Sequence, residues 1–182
     1  MDNRKKIRWI ARTALLIALL IVLQAASAPL GNSLITGSIV NLMLIISAMV
    51  CGLSTGLTVA LTSPVAAKFF GIGPLWALIP FIAAGNIALV LLWHFIGNRR
   101  IGGRQCIAYI AALVAAALAK FFALYIGIVQ IAVPGFLNLP EPQAAVVSNM
   151  FSVPQLLTAL AGGILAIILL PGLKKAIAGG TA

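Results

Sequence analysis

The sequence predicts an all-α membrane protein, a bundle of six transmembrane helices forming one domain over residues 1–182. Three observations predict it. The chain is 63% hydrophobic and 8% charged, more apolar surface than a soluble fold of this length can bury, so lipid must act as solvent for the rest. Six apolar runs approach the roughly 20 residues that a helix needs to cross a bilayer. The basic residues stand mainly at the ends of those runs, where they set topology and meet anionic lipid.

Helix 1 is expected from about Trp9 to Ala28 and helix 2 from about Ile35 to Val50. Helix 3 runs from about Leu53 to Phe70, with Pro64 as a kink. Helix 4 runs from about Trp76 to Ile96, with Pro80 near its first turn. Helix 5 runs from about Gln105 to Ile131. Helix 6 runs from about Val153 to Leu170, with Ser152 as N-cap and Pro154 in its first turn. The segment from Pro134 to Asn149 holds Pro134, Pro140 and Pro142, and is expected to be ordered by its prolines rather than by a helix. It is the longest outer loop and a candidate lid, or else a plain connector.

Arg4, Lys5, Lys6, Arg8 and Arg12 open the chain, Arg99, Arg100 and Arg104 join helices 4 and 5, and Lys174 and Lys175 follow helix 6. Positive-inside counting places both termini in the cytoplasm. Lys68, at the outer end of helix 3, is the exception and is expected to snorkel. Residues 1–28 also have the pattern of a signal peptide, ending in Ala26-Ser27-Ala28, but the apolar run from Ile10 to Ala28 is long enough to span.

The net charge of +10 reflects these topology signals, not nucleic-acid binding. Cys51, Cys106 and the single His94 form no metal-ligand set, so no metal and no cofactor are expected. No nucleophile–base set, paired carboxylates or phosphate loop points to an enzyme. The two acids, Asp2 and Glu141, lie outside every span. An ion-coupled carrier normally needs an embedded acid, and no ATPase motif is present. Any uphill transport must draw its energy from a partner.

The informative residues are polar groups within the spans. On helix 5, Ala116, Lys120, Ala123, Gly127 and Gln130 follow helical spacing along one small-residue face, which leaves room for a ligand. Trp76, Ile79, Ala83 and Asn86 form a similar stripe on helix 4, and Gln155, Thr158 and Gly162 on helix 6. Asn86 and Thr158 could instead bond between helices, and Trp76 could belong to an interfacial aromatic belt. Counted from Arg104, Lys120 lies roughly 24 Å along helix 5, in the outer half. A lysine there needs a partner or a wet cavity. It could pair with Glu141, snorkel to the outer surface, or meet an acidic group or other acceptor on a solute. Asn149 and Phe151, at the end of the outer loop, complete the candidate binding set.

The chain resembles the substrate-binding S components of energy-coupling factor (ECF) transporters, in the subfamily of unassigned substrate. The resemblance rests on size, six spans, a basic N-terminus followed by Ala14-xxx-Ala18, the run Thr36-Gly-Ser-Ile-Val-Asn41, the Ser63-Pro64 step, Pro80-Phe81 before Gly85-Asn86, and Phe151-Ser-Val-Pro-Gln155. It implies a prokaryotic plasma-membrane subunit that captures a vitamin-like micronutrient from outside. It also implies that Ala14 and Ala18 dock on a transmembrane coupling subunit and, through it, on two cytoplasmic ATPases. The alternatives are a small integral-membrane enzyme or an accessory subunit without solute transport.

Overall fold

A computed structural model describes residues 3–72 and 75–179. The described residues form an all-α bundle. α1 spans Asn3–Ser27, α2 Ser33–Cys51, α3 Leu53–Phe69, α4 Ile79–Gly97, α5 Gln105–Leu124, α6 the single turn Val133–Gly135, α7 Glu141–Met150 and α8 Val153–Gly179. Among the described residues, five stretches are long and apolar enough to cross a membrane, which makes the chain a multi-pass membrane protein. α3, at 17 residues, is about 25 Å long. It is the shorter member and lies inside the bundle against α1, α2 and α4.

α2 is the hub of the bundle. It packs along α8 and also touches α1, α3 and α4, while α4 and α5 form the other close pair. The core between them holds Leu20, Leu44, Ile45, Val59, Leu89 and Trp93, all fully buried. Large apolar side chains also point outward, among them Leu15, Leu61, Val114, Leu118, Ile164 and Ile168. In water that surface would be a liability; against lipid tails it costs nothing.

Close helix approach depends on glycine. A Cβ on Gly162 would sit 2.6 Å from the Ser38 carbonyl oxygen and 2.7 Å from Asn41 Cβ, so α8 meets the backbone of α2 there. Neither neighbour is a flexible side-chain tip. Gly162→Ala is therefore expected to cost about 2 kcal/mol of stability by overpacking, read as a lower unfolding midpoint in detergent. An unchanged midpoint would mean that α2 and α8 separate freely.

Several expectations are corrected. The outer segment is not ordered by prolines alone, because it contains α7. Pro140 takes the N-cap position and Pro142 falls in the first turn, where a missing N–H breaks no helical bond. No breaker follows before Met150. Ser152 does not cap α8 with its side chain; its hydroxyl donates back to the Ser148 carbonyl, closing α7 instead. α8 does not stop at Leu170 but runs through Pro171 to Gly179. Pro171 costs one backbone bond, and the added turns bring Lys174 Nζ to 3.4 Å from the Tyr109 hydroxyl of α5. The straight helix 5 is replaced beyond Leu124 by a π-helical stretch, Tyr125–Ala132.

Candidate functional site

Pro64 is where the site begins. A proline inside a helix has no N–H for the carbonyl four residues earlier. Here that carbonyl belongs to Ala60, and Asn86 Nδ2 of α4 donates to it at 3.5 Å. The same Nδ2 reaches Ser63 Oγ at 3.5 Å. Asn86 is thereby turned so that its Oδ1 faces α5, where it accepts from Lys120 Nζ at 2.8 Å. From α2, Asn41 Oδ1 accepts from the same Nζ at 2.6 Å. Asn41 is held in turn by Nδ2 donating to Thr158 Oγ1 of α8, 3.3 Å away, and Thr158 donates to the Gln155 carbonyl at 3.0 Å.

Lys120 is 3% exposed. An ammonium has three donors. Two meet amide oxygens, and the third has no partner among the described residues. Neither amide carries charge, so the amine has no countercharge among its partners. Glu141 stands exposed at the start of α7 and is not a partner of Lys120.

The amine forms part of the wall of a cavity of about 420 Å³ between α1, α2, α3, α4, α5 and α8. Asn41, Asn86, Ser63 and Thr36 supply polar wall, while Pro64, Ile82 and Phe151 supply apolar wall. From α1, Gln24 also lines it. Gln24 is 8% exposed, and its Oε1 is buried without a hydrogen-bond partner. A buried amide oxygen left unpaired is costly. The cavity wall thus includes an amine donor and a residue, Gln24, whose amide oxygen is unsatisfied.

Of the residues predicted for the site, the structure brings together Lys120, Asn86, Gln155 and Phe151. Thr158 is buried behind the wall as the support of Asn41. Gln130 turns outward and donates to the Tyr125 hydroxyl at 3.0 Å. Its predicted face assumed 3.6 residues per turn, and the π-helical stretch pairs residues five apart instead. Trp76 is 54% exposed and edge-on to Phe69. It belongs to a 3₁₀ turn before α4, whose tighter winding takes it off the α4 stripe. Asn149 is exposed on α7, outside the cavity wall. Ala14 and Ala18 are exposed on the side of α1 that faces away from the bundle. Lys68 is half-buried.

Asn41 and Gln24 were not among the predicted site residues. Each had a visible signal, a lone amide inside an apolar run, and each needed its neighbours to give it a role.

Set against protein-family models, curated proteins and solved structures, the chain matches none.

Proposed function

We propose that this chain is the membrane-embedded substrate-binding subunit of an ATP-driven importer of the ECF type, capturing an acidic, vitamin-like micronutrient from outside the cell. The observation that carries the proposal is Lys120, a buried amine with two neutral amide partners and a free donor, facing a cavity of ligand size. Pockets that hold small molecules are mostly apolar with a few placed polar groups, and this wall fits that description. A carboxylate or phosphate on the solute would supply the countercharge that the bundle omits. Gln24 would take a donor, such as an N–H or hydroxyl, elsewhere on the same molecule.

In this reading the cavity opens outward, and the basic ends of the helices lie in the cytoplasm. The chain spends no energy of its own. A coupling subunit seated on the Ala14 and Ala18 face, with two ATPases beneath it, would drive release inside. The experiment is mass spectrometry of the small molecules freed when the purified chain is denatured. An anionic compound present in near-stoichiometric amount is expected; recovery of none, or only of uncharged apolar molecules, would count against the proposal. Reporter fusions at the two ends test the orientation. Both are expected to report cytoplasm, and opposite compartments would overturn it.

A further inference from the structure

We propose that the basic end of the bundle carries a second, separate site for a phosphate group, of the kind an anionic phospholipid headgroup or free phosphate presents. Lys5, Arg8, Trp9 and Arg12 follow the i, i+3, i+4, i+7 spacing of one face of α1. They line a recess of about 190 Å³ closed by Cys51 and Thr55 at the α2–α3 turn. Two groups set this recess apart from a scatter of surface cations. The Trp9 indole Nε1 is buried with no hydrogen-bond partner among the described residues. The Thr55 hydroxyl is 1% exposed; it accepts from Thr13 Oγ1 at 3.3 Å and donates to nothing among the described residues.

Among the described residues, every polar side chain that lines the recess can donate and none is an acid. Among the described residues the only acid is Glu141, at the opposite end of the bundle. An indole N–H can only donate, so its partner must be an acceptor. Three cations lining the same recess ask for an anion with several oxygens. A phosphate fits both demands: arginine forks bind its oxygens in pairs, and one oxygen remains for the indole. A single carboxylate would leave most of these donors unmet. The recess lies at the depth where headgroups sit, because α1 enters the apolar region just after Arg12. The site is independent of the solute reading.

The test uses the full chain in detergent, titrated in native mass spectrometry with dioleoylphosphatidylglycerol and with dioleoylphosphatidylcholine. Trp9→Phe keeps the ring and every charge and removes only the N–H. Wild type is expected to bind the glycerol lipid about tenfold more tightly than the choline lipid. Trp9→Phe should lose about tenfold of that affinity, the size of one hydrogen bond to a charged acceptor. Arg8→Gln with Arg12→Gln should lose at least as much. Thermal unfolding of delipidated protein in inorganic phosphate against chloride at equal ionic strength separates the sources. Stabilisation by phosphate that Trp9→Phe abolishes assigns the site to the ion itself, and its absence beside tight glycerol-lipid binding assigns it to the lipid. Equal binding of the two lipids by wild type, or equal binding of the glycerol lipid by wild type and Trp9→Phe, would overturn the proposal and leave only diffuse charge attraction.

Discussion

Lys120→Met should weaken solute binding at least tenfold, while the protein still inserts and folds. Methionine keeps the length of the side chain and removes its charge. A hydrogen bond to a charged group contributes about 1.5–3 kcal/mol, which corresponds to roughly ten- to 150-fold in affinity. The fold should tolerate the change because a buried cation is itself costly in a membrane helix. Asn41 and Asn86 keep their Nδ2 bonds to Thr158, Ser63 and the Ala60 carbonyl, and their freed Oδ1 atoms belong to residues lining the cavity, where water can replace the amine. The check is the amount of anionic compound retained by purified variant and wild type, alongside their elution as monodisperse protein. Equal retention by a folded variant would remove Lys120 from the site.

Ala14→Trp or Ala18→Trp should leave solute binding intact and abolish ATP-driven uptake. Both alanines are exposed on the outer side of α1, away from the cavity. Small residues four apart let a second helix approach a helix backbone closely. An indole ring there would hold a partner helix several Å away, beyond the reach of dispersion contacts. The check is solute retention by the purified chain against accumulation in cells carrying the coupling module. Loss of retention by the purified chain would show that this face serves the bundle itself. Full uptake would remove it from docking.

The fold was largely legible because a membrane chain declares its helices through runs of apolar residues. The starts of α3 and α5, at Leu53 and Gln105, fall where the runs begin. Proline carried less information than expected. Pro142 sits in the first turn of a helix, and Pro171 lies within one; in both cases context decided. The site was half legible. Lys120 and Asn86 stand out as polar groups in apolar helices, and their convergence follows from depth along each helix. The second partner of Lys120 was not legible. Asn41 is chosen by the packing of α2 on α8 at Gly162, a contact between residues far apart in sequence. Gln130 and Trp76 were misplaced because local winding, π-helical at one and 3₁₀ at the other, breaks the spacing that assigned their faces.

In the proposed function the free donor of Lys120 holds the solute. This is tested most directly by a crystal structure of the chain with its co-purified molecule bound. An acidic oxygen of that molecule is expected at about 2.8 Å from Lys120 Nζ, the distance of a charge-assisted bond, with Asn41 and Asn86 still in place. A solute seated elsewhere, with Lys120 bonded only to its two asparagines, would contradict it.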